Sequence, residues 1–188
     1  ICPKEVLDVG TGTSAFPHLL RNCGFRVTAI DKIDDYWTGD YFNRHYLVIN
    51  DDVTDSKLDK KFDFITCISV LEHIPVHKEA MKGMHKLLKP GGHLLLTVPF
   101  NEKKYVDNVY KLPDASYGKD HAYICQIFSR NNIDEWLRDS SWEIVEQEYY
   151  EVFTGELWTF GEHIYPPKKV DKGHKSHLSC ILLRKESE

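Results

Sequence analysis

The sequence has no apolar run near the ~18 residues that a membrane-spanning helix requires, and its opening residues do not read as a signal peptide, so no membrane partner is expected. Basic residues are not in excess either. Lys and Arg number 24 against 29 Asp and Glu, a formal net charge of −5. A domain that binds nucleic-acid phosphates is normally basic, which counts against that partner. Cysteine is sparse and unpatterned: Cys2, Cys23, Cys67, Cys125 and Cys180 make an odd count with no C-x-x-C pair. That spacing fits neither a zinc centre nor a disulfide framework. The cysteines read as buried, reduced thiols, and the chain as a metal-free protein of a reducing compartment, the cytoplasm. Internal repeats and low-complexity tracts are missing as well.

What remains is ordinary globular material. The 188 residues are 41% apolar and 28% charged, enough for one domain over 1–188 with a core that needs no staples. The chain opens on Ile1 rather than Met and a strand begins almost at once, so a fragment is expected.

Short apolar runs alternate with helical patterns. Glu5–Val9, Arg26–Asp31, Tyr46–Asn50, Phe62–Ser69, His93–Val98, Trp142–Val145 and His177–Leu183 read as strands. Phe16, Leu19, Leu20 and Cys23 form a helical stripe, with Ser14 at its start and Gly24 at its end. Pro75 opens a second helix, apolar at Val76, Ala80, Met81, Met84, Leu87 and Leu88, which Lys89-Pro90-Gly91-Gly92 stops. A third follows Ser129 and presents Ile133, Trp136 and Leu137 on one face. Residues 32–45 read as a loop with a short helix, and 100–127 and 153–176 as long loops of the kind that serve as lids. The alternation predicts an α/β fold with a mostly parallel sheet covered on both faces. No helix separates the last two strands, so they can pair antiparallel.

In such sheets ligands bind beyond the carboxyl ends of the strands, where strand order reverses. Glycines and acids gather at those ends: Gly10 and Gly12 after the first strand, Asp31 on the second, Asp51 and Asp52 on the third, Ser69 on the fourth. Asp8-Val9-Gly10-Thr11-Gly12 is a tight glycine turn, and Asp31 can accept two hydrogen bonds from a ribose diol. A nicotinamide dinucleotide would fit the same acid, and Ala15 is an accepted variant of the third fingerprint glycine. The sign of charge separates the two ligands. Asp8 would repel a pyrophosphate but not a ligand with an ammonium or sulfonium group, which favours S-adenosylmethionine.

The chain resembles the class I S-adenosylmethionine-dependent methyltransferases over nearly its whole length. Val6 to Gly12 is similar to their first motif, with Ser14 where many members have a third glycine. Ala29-Ile30-Asp31 resembles the ribose-binding acid, and Asn50-Asp51-Asp52-Val53 the adenine site, with Asp52 near the exocyclic amine and Val53 against the ring. Phe62–Ile65, Ser69–Ile74 and Leu87–Leu94 are similar to the fourth-strand and fifth-strand segments. The resemblance implies a three-layer, Rossmann-like, seven-stranded, mostly parallel sheet with a reversed last strand, and N-terminal cap helices that would precede Ile1. It implies S-adenosyl-L-methionine as cofactor and Asp8, Gly10, Thr11, Gly12, Asp31, Asp52, Val53 and Ser69 as its binding residues. The acceptor is expected to be a small molecule or a sugar or glycan, methylated on oxygen and reached by the loops at 100–127 and 153–176.

An oxygen nucleophile must lose a proton, and histidine suits that role near neutral pH. His73, after the fourth strand, and His121, before the third helix, are the candidate bases. Glu72 reads as a structural or solvated acid, since an ionised carboxylate is a weak base. His163, His174 and His177 read as exposed loop histidines. Tyr105, Tyr110, Tyr117, Tyr123, Trp158, Phe160 and Tyr165 read mostly as packing for the loops. Lys168, Lys169, Lys172 and Lys175 read as a solvated face. Two other readings stay open: a catalytically silent methyltransferase-like binding domain, and a nicotinamide-dependent reductase, which lacks a usable Tyr-x-x-x-Lys here.

Overall fold

The computed structural model describes residues 5–32 and 48–186. Cys2, most of the 32–45 segment and the first two residues of the third strand lie outside them. The strands are β1 (Glu5–Val9), β2 (Arg26–Asp31), β3 (Val48–Asn50), β4 (Phe62–Ile68), β5 (Leu88–Asn101), β6 (Phe128–Ser129), β7 (Trp142–Phe153), β8 (His163–Val170) and β9 (Leu178–Lys185). The helices are α1 (Phe16–Asn22), α2 (His77–Leu87) and α3 (Arg130–Ser140).

The sheet runs β3-β2-β1-β4-β5-β9-β7-β8, with the two-residue β6 beside β5. β1, β2, β3, β4 and β5 pair in parallel, whereas β9 is antiparallel to both β5 and β7. The class is the expected one, with the last strand β9 reversed, and β8 at the sheet's edge runs against β1–β5 as well. The count differs, nine strands among the described residues rather than seven. The step from β1 to β2 and the step from β4 to β5 run in opposite directions along the sheet. Right-handed crossovers therefore put α1 and α2 on opposite faces, and the reversal between β1 and β4 opens a crevice at their carboxyl ends.

The main core is the sheet's inner strands under α2 and α3. Leu7, Ile65, Leu94, Leu96, Met81, Met84 and Trp136 are buried in it. Ser129 starts α3, its N–H and hydroxyl both donating to Asn132 Oδ1 at 2.9 and 2.7 Å. The stripe expected of α1 is not buried among the described residues. Pro17 is its buried residue, and Leu19 is 56% exposed. Cys23 is exposed too, whereas Cys67 and Cys125 are buried as expected.

Residues 153–176 are not one loop. They contain β8, which pairs antiparallel with β7 and ends the sheet. Pro166 and Pro167 argue against a strand in the sequence, but an edge strand needs ladder bonds on one side only. Lys169 of this strand pairs with Glu148, and nearby Lys175 pairs with Glu151, so two of the four lysines of the basic run have acidic partners.

The long loops also build a second, smaller core. Val106, Val109, Tyr110, Cys125 and Ile127 meet Leu157, with Tyr123, Trp158 and Phe160 against them. His177, expected on an exposed loop, is fully buried. Its Nδ1 accepts the Val152 N–H at 3.1 Å, and its Nε2 lies 2.9 Å from the Gly155 carbonyl. Nε2 therefore carries the proton and the ring is neutral. Burial lowers its pKa further.

Candidate active site

A cleft of about 630 Å³ opens at the carboxyl ends of β1, β2, β3 and β4. Its floor is the glycine turn. Gly10 and Gly12 have φ of 69° and 52°, the left-handed region that glycine enters without strain. At Gly10 a Cβ would also lie 2.4 Å from a Val70 methyl, so this glycine lets the turn after β4 close onto the turn after β1. At Gly12 a Cβ would meet nothing within 4 Å, which leaves the backbone open to a ligand.

Asp31 fixes the turn from the side. Its Oδ2 accepts the Gly12 N–H at 2.5 Å, and the residue also lines the cleft. Asp52 caps the short turn Val53–Asp55, accepting the Thr54 N–H at 2.9 Å and the Thr54 hydroxyl at 2.7 Å. Burial works to raise its pKa, but these bonds and Lys32 outweigh burial and hold it below the usual carboxylate value. Val53 is buried at the cleft edge. Its placement depends on Gly83 of α2, where a Cβ would strike the Val53 carbonyl at 1.9 Å. Gly83 was not singled out in the sequence, where a glycine inside a helical pattern is the available signal.

Ser69 adopts φ of 53°, and its N–H donates to Thr97 Oγ1 at 2.9 Å. The chain thereby bends at the end of β4 and delivers Val70 and His73 to the cleft wall. His73 Nδ1 lies 2.6 Å from the Ile124 carbonyl. A carbonyl accepts only, so Nδ1 carries the proton and Nε2 keeps its lone pair. Burial lowers the His73 pKa, against the raising effect of that carbonyl. Tyr123 packs edge-on to the ring, 4.7 Å between centroids, and also lines the cleft.

The structure therefore brings Gly10, Thr11, Gly12, Asp31, Asp52, Val53, Ser69 and His73 together around one cleft. Two expected site residues stand outside its wall. Asp8 lies beneath the turn, 3% exposed, accepting the Thr66 hydroxyl at 2.6 Å and bonded to Thr11. Burial pushes its pKa up to about 6, against the lowering effect of the two threonines. His121 is exposed and stacks behind Tyr123 at 4.8 Å. Glu72 is buried rather than solvated. Among the described residues, no three His, Cys, Asp or Glu side chains converge as a metal site, and no helix is long and apolar enough to cross a membrane.

A doubly wound sheet, a glycine turn open to backbone approach and a carboxylate on the neighbouring strand define a nucleoside-binding α/β domain. The chain belongs to the methyltransferase-domain family, whose profile matches residues 2–147, and is a class I S-adenosylmethionine-dependent methyltransferase domain. It is 28% identical over 162 residues to a ubiquinone biosynthesis O-methyltransferase of Pseudomonas paraeruginosa, covering 75% of this chain and 65% of that protein. It is 33% identical over 121 residues to the protein of the same name from Coxiella burnetii, covering 61% and 50%. The chain thus spans about half to two thirds of the length of these relatives. A Burkholderia thailandensis 1,6-didemethyltoxoflavin-N1-methyltransferase, solved with its acceptor and S-adenosylhomocysteine, superposes with a TM-score of 0.65 at 18% identity, covering 98% of this chain and 72% of that one. The [4+2]-cyclase SpnF has the same TM-score at 16% identity, covering 98% and 75%. At those identities the likeness is one of fold. Family membership removes the nicotinamide-dependent reductase as a reading.

Proposed function

We propose that the chain transfers the methyl group of S-adenosylmethionine to an oxygen of a small molecule, a sugar or glycan included, with His73 as general base. The observation that carries this is His73 in the cleft wall, its proton fixed on Nδ1 by the Ile124 carbonyl. The cleft fits the cofactor, because Gly12 leaves open space, Asp31 faces it as an acceptor and Val53 offers an apolar edge. When bound, S-adenosylmethionine supplies a methyl carbon on a sulfonium whose leaving group is a neutral thioether.

The protein's tasks are then positional. Asp31 holds the ribose hydroxyls, Asp52 and Val53 the adenine, and Gly10, Thr11, Gly12 and Ser69 the amino-acid end. Asp8 acts from beneath, holding Thr11 and placing negative charge under the turn, which favours a cationic ligand over a pyrophosphate. His73 Nε2 takes the acceptor's proton. Its lowered pKa keeps the ring neutral, and thus basic, at pH 7. His121, stacked on Tyr123, is the alternative base. Relatives named O-methyltransferases support oxygen as the acceptor atom. Four unbridged cysteines among the described residues support a reducing, cytoplasmic setting.

The test pairs binding with turnover. Calorimetric titration with S-adenosylhomocysteine is expected to show tight binding, unchanged within about twofold by His73→Ala. That substitution should lower turnover of an accepted substrate roughly 10²–10⁴-fold, the usual worth of a positioned base. Full turnover in His73→Ala would remove the assignment. Binding with no transfer to any acceptor would favour the silent-domain reading.

A further inference from the structure

Two carboxylates are equally deeply buried, Asp8 and Glu72, each 3% exposed. Asp8 receives a hydroxyl at 2.6 Å. Glu72 has nothing comparable. Its Oε2 is shut off from solvent and has no hydrogen-bond partner among the described residues, and the polar hydrogen against the carboxylate is its own peptide N–H. The titratable groups around it are the Cys67 thiol on β4 and the Cys125 thiol on the segment before β6. Burial pushes the Cys125 thiol up to about 12 and the Cys67 thiol further up, so both are neutral, and both are weak acceptors for a carboxylic O–H. No cation faces Glu72 among the described residues.

The backbone around this side chain is tightly held. The Glu72 carbonyl accepts the Gln126 N–H at 2.9 Å, and the Ile74 carbonyl accepts Gln126 Nε2 at 2.8 Å. Gln126 is itself buried and receives the Tyr105 hydroxyl at 2.8 Å. On one side of Glu72, Val70 rests against Gly10, and on the other His73 is tied to Ile124. Burial strongly disfavours an ionised carboxylate whose one donor is its own peptide N–H and which no counter-ion faces among the described residues. Bringing Oε2 to water requires movement of the turn from Val70 to Ile74, which the Gln126 bonds hold in place.

We propose that Glu72 is a positioning residue that works as an uncharged carboxylic acid: seated behind the cleft, it keeps the Val70–Ile74 turn folded, so that Val70 stays on the glycine turn and His73 in the cleft wall, and loss of its proton releases both. The proposal rests on the functional reading only for the role of His73. Burial pushes the Glu72 pKa up to about 8, which puts the release just above neutrality.

The test needs no acceptor and no cofactor. Hydrogen–deuterium exchange of residues 69–76 and the thermal midpoint are followed from pH 6 to 10 in the wild-type chain and in Glu72→Gln. In the wild type, exchange in this segment should rise between pH 7 and 9 by about tenfold beyond the intrinsic increase, as local opening does. Glu72→Gln, neutral throughout, should show the intrinsic increase alone and a flatter midpoint. Parallel curves for the two proteins would overturn the proposal. Should Glu72→Gln fail to fold, carbon-13 titration of the Glu72 carboxyl in the wild type decides: a group ionised at pH 7 overturns it, and one that titrates together with the exchange of 69–76 supports it. If S-adenosylhomocysteine fails to bind at any pH while the exchange still follows Glu72, the functional reading falls and the positioning role stands.

Discussion

The molecule has two halves built on different principles. The cleft side, β1 to β4 and their turns, is defined by backbone: positive φ at Gly10, Gly12 and Ser69, and single carboxylates that accept peptide N–H groups. The loop side, 105–127 with 153–161, which we propose faces the acceptor, is defined by side-chain packing, a small core of Tyr110, Cys125, Ile127 and Leu157 fastened by His177. The first half needs particular residues at particular places. The second needs only apolar bulk that meets across the chain. Tyr123 joins them, packed on the second core and edge-on to His73.

If that division holds, changes on the two sides should separate binding from turnover. The largest effect is expected for Asp31→Ala, which removes the carboxylate that holds the Gly12 N–H and that we propose also takes the ribose hydroxyls. Affinity for S-adenosylhomocysteine should drop about 100-fold or more, roughly 3 kcal/mol, in calorimetric titration. An unchanged affinity would break the comparison at its root. Leu157→Ala should do the reverse. It opens space in the second core and should cost about 2 kcal/mol of stability in chemical denaturation, with the affinity for S-adenosylhomocysteine left within about twofold and turnover reduced. Lost cofactor binding would show that the halves are one unit.

The smallest effect is a matter of pH. His177 must be neutral to accept the Val152 N–H, and its pKa in the folded chain lies below the ordinary 6.5. The unfolded chain therefore binds the proton more readily. The stability that His177 contributes is present above about pH 6.5 and is lost as the pH falls through the folded value. Amide exchange at Val152, Phe153 and Gly155 should quicken below pH 6.5, ahead of exchange in β1 and β4. Equal protection of all these amides at pH 5 would mean that His177 is not the fastener.

This contrast also explains what the sequence disclosed. Glycines and carboxylates at strand ends are set there by the fold, so the convergence of Gly10–Gly12, Asp31, Asp52, Val53 and His73 on one cleft was legible, as were β1, β2, β4 and β9. Packing between distant segments has no period. Ala115 bridges to Phe160, and Ser116 donates to the Thr159 carbonyl, yet neither stretch alone shows a pattern, so the loop aromatics read as packing while the core that joins the two stretches did not. His177 looked like a loop residue because the amides that bury it come from Val152 and Phe153. Glu72 read as a structural or a solvated acid, and its burial selects the first, because charge in a sequence says nothing of who surrounds it. The exposed stripe of α1 shows the opposite error, a period without burial at Leu19.

At its far end the sheet stops on β8, whose Pro166 and Pro167 carry no N–H and whose Lys168 is exposed. A neighbouring molecule looking for a strand to extend would find gaps in the ladder and a like charge facing it. The same residues that hid this strand from a propensity reading thus make it a poor seed for stacking, and should help the chain stay dispersed when crowded.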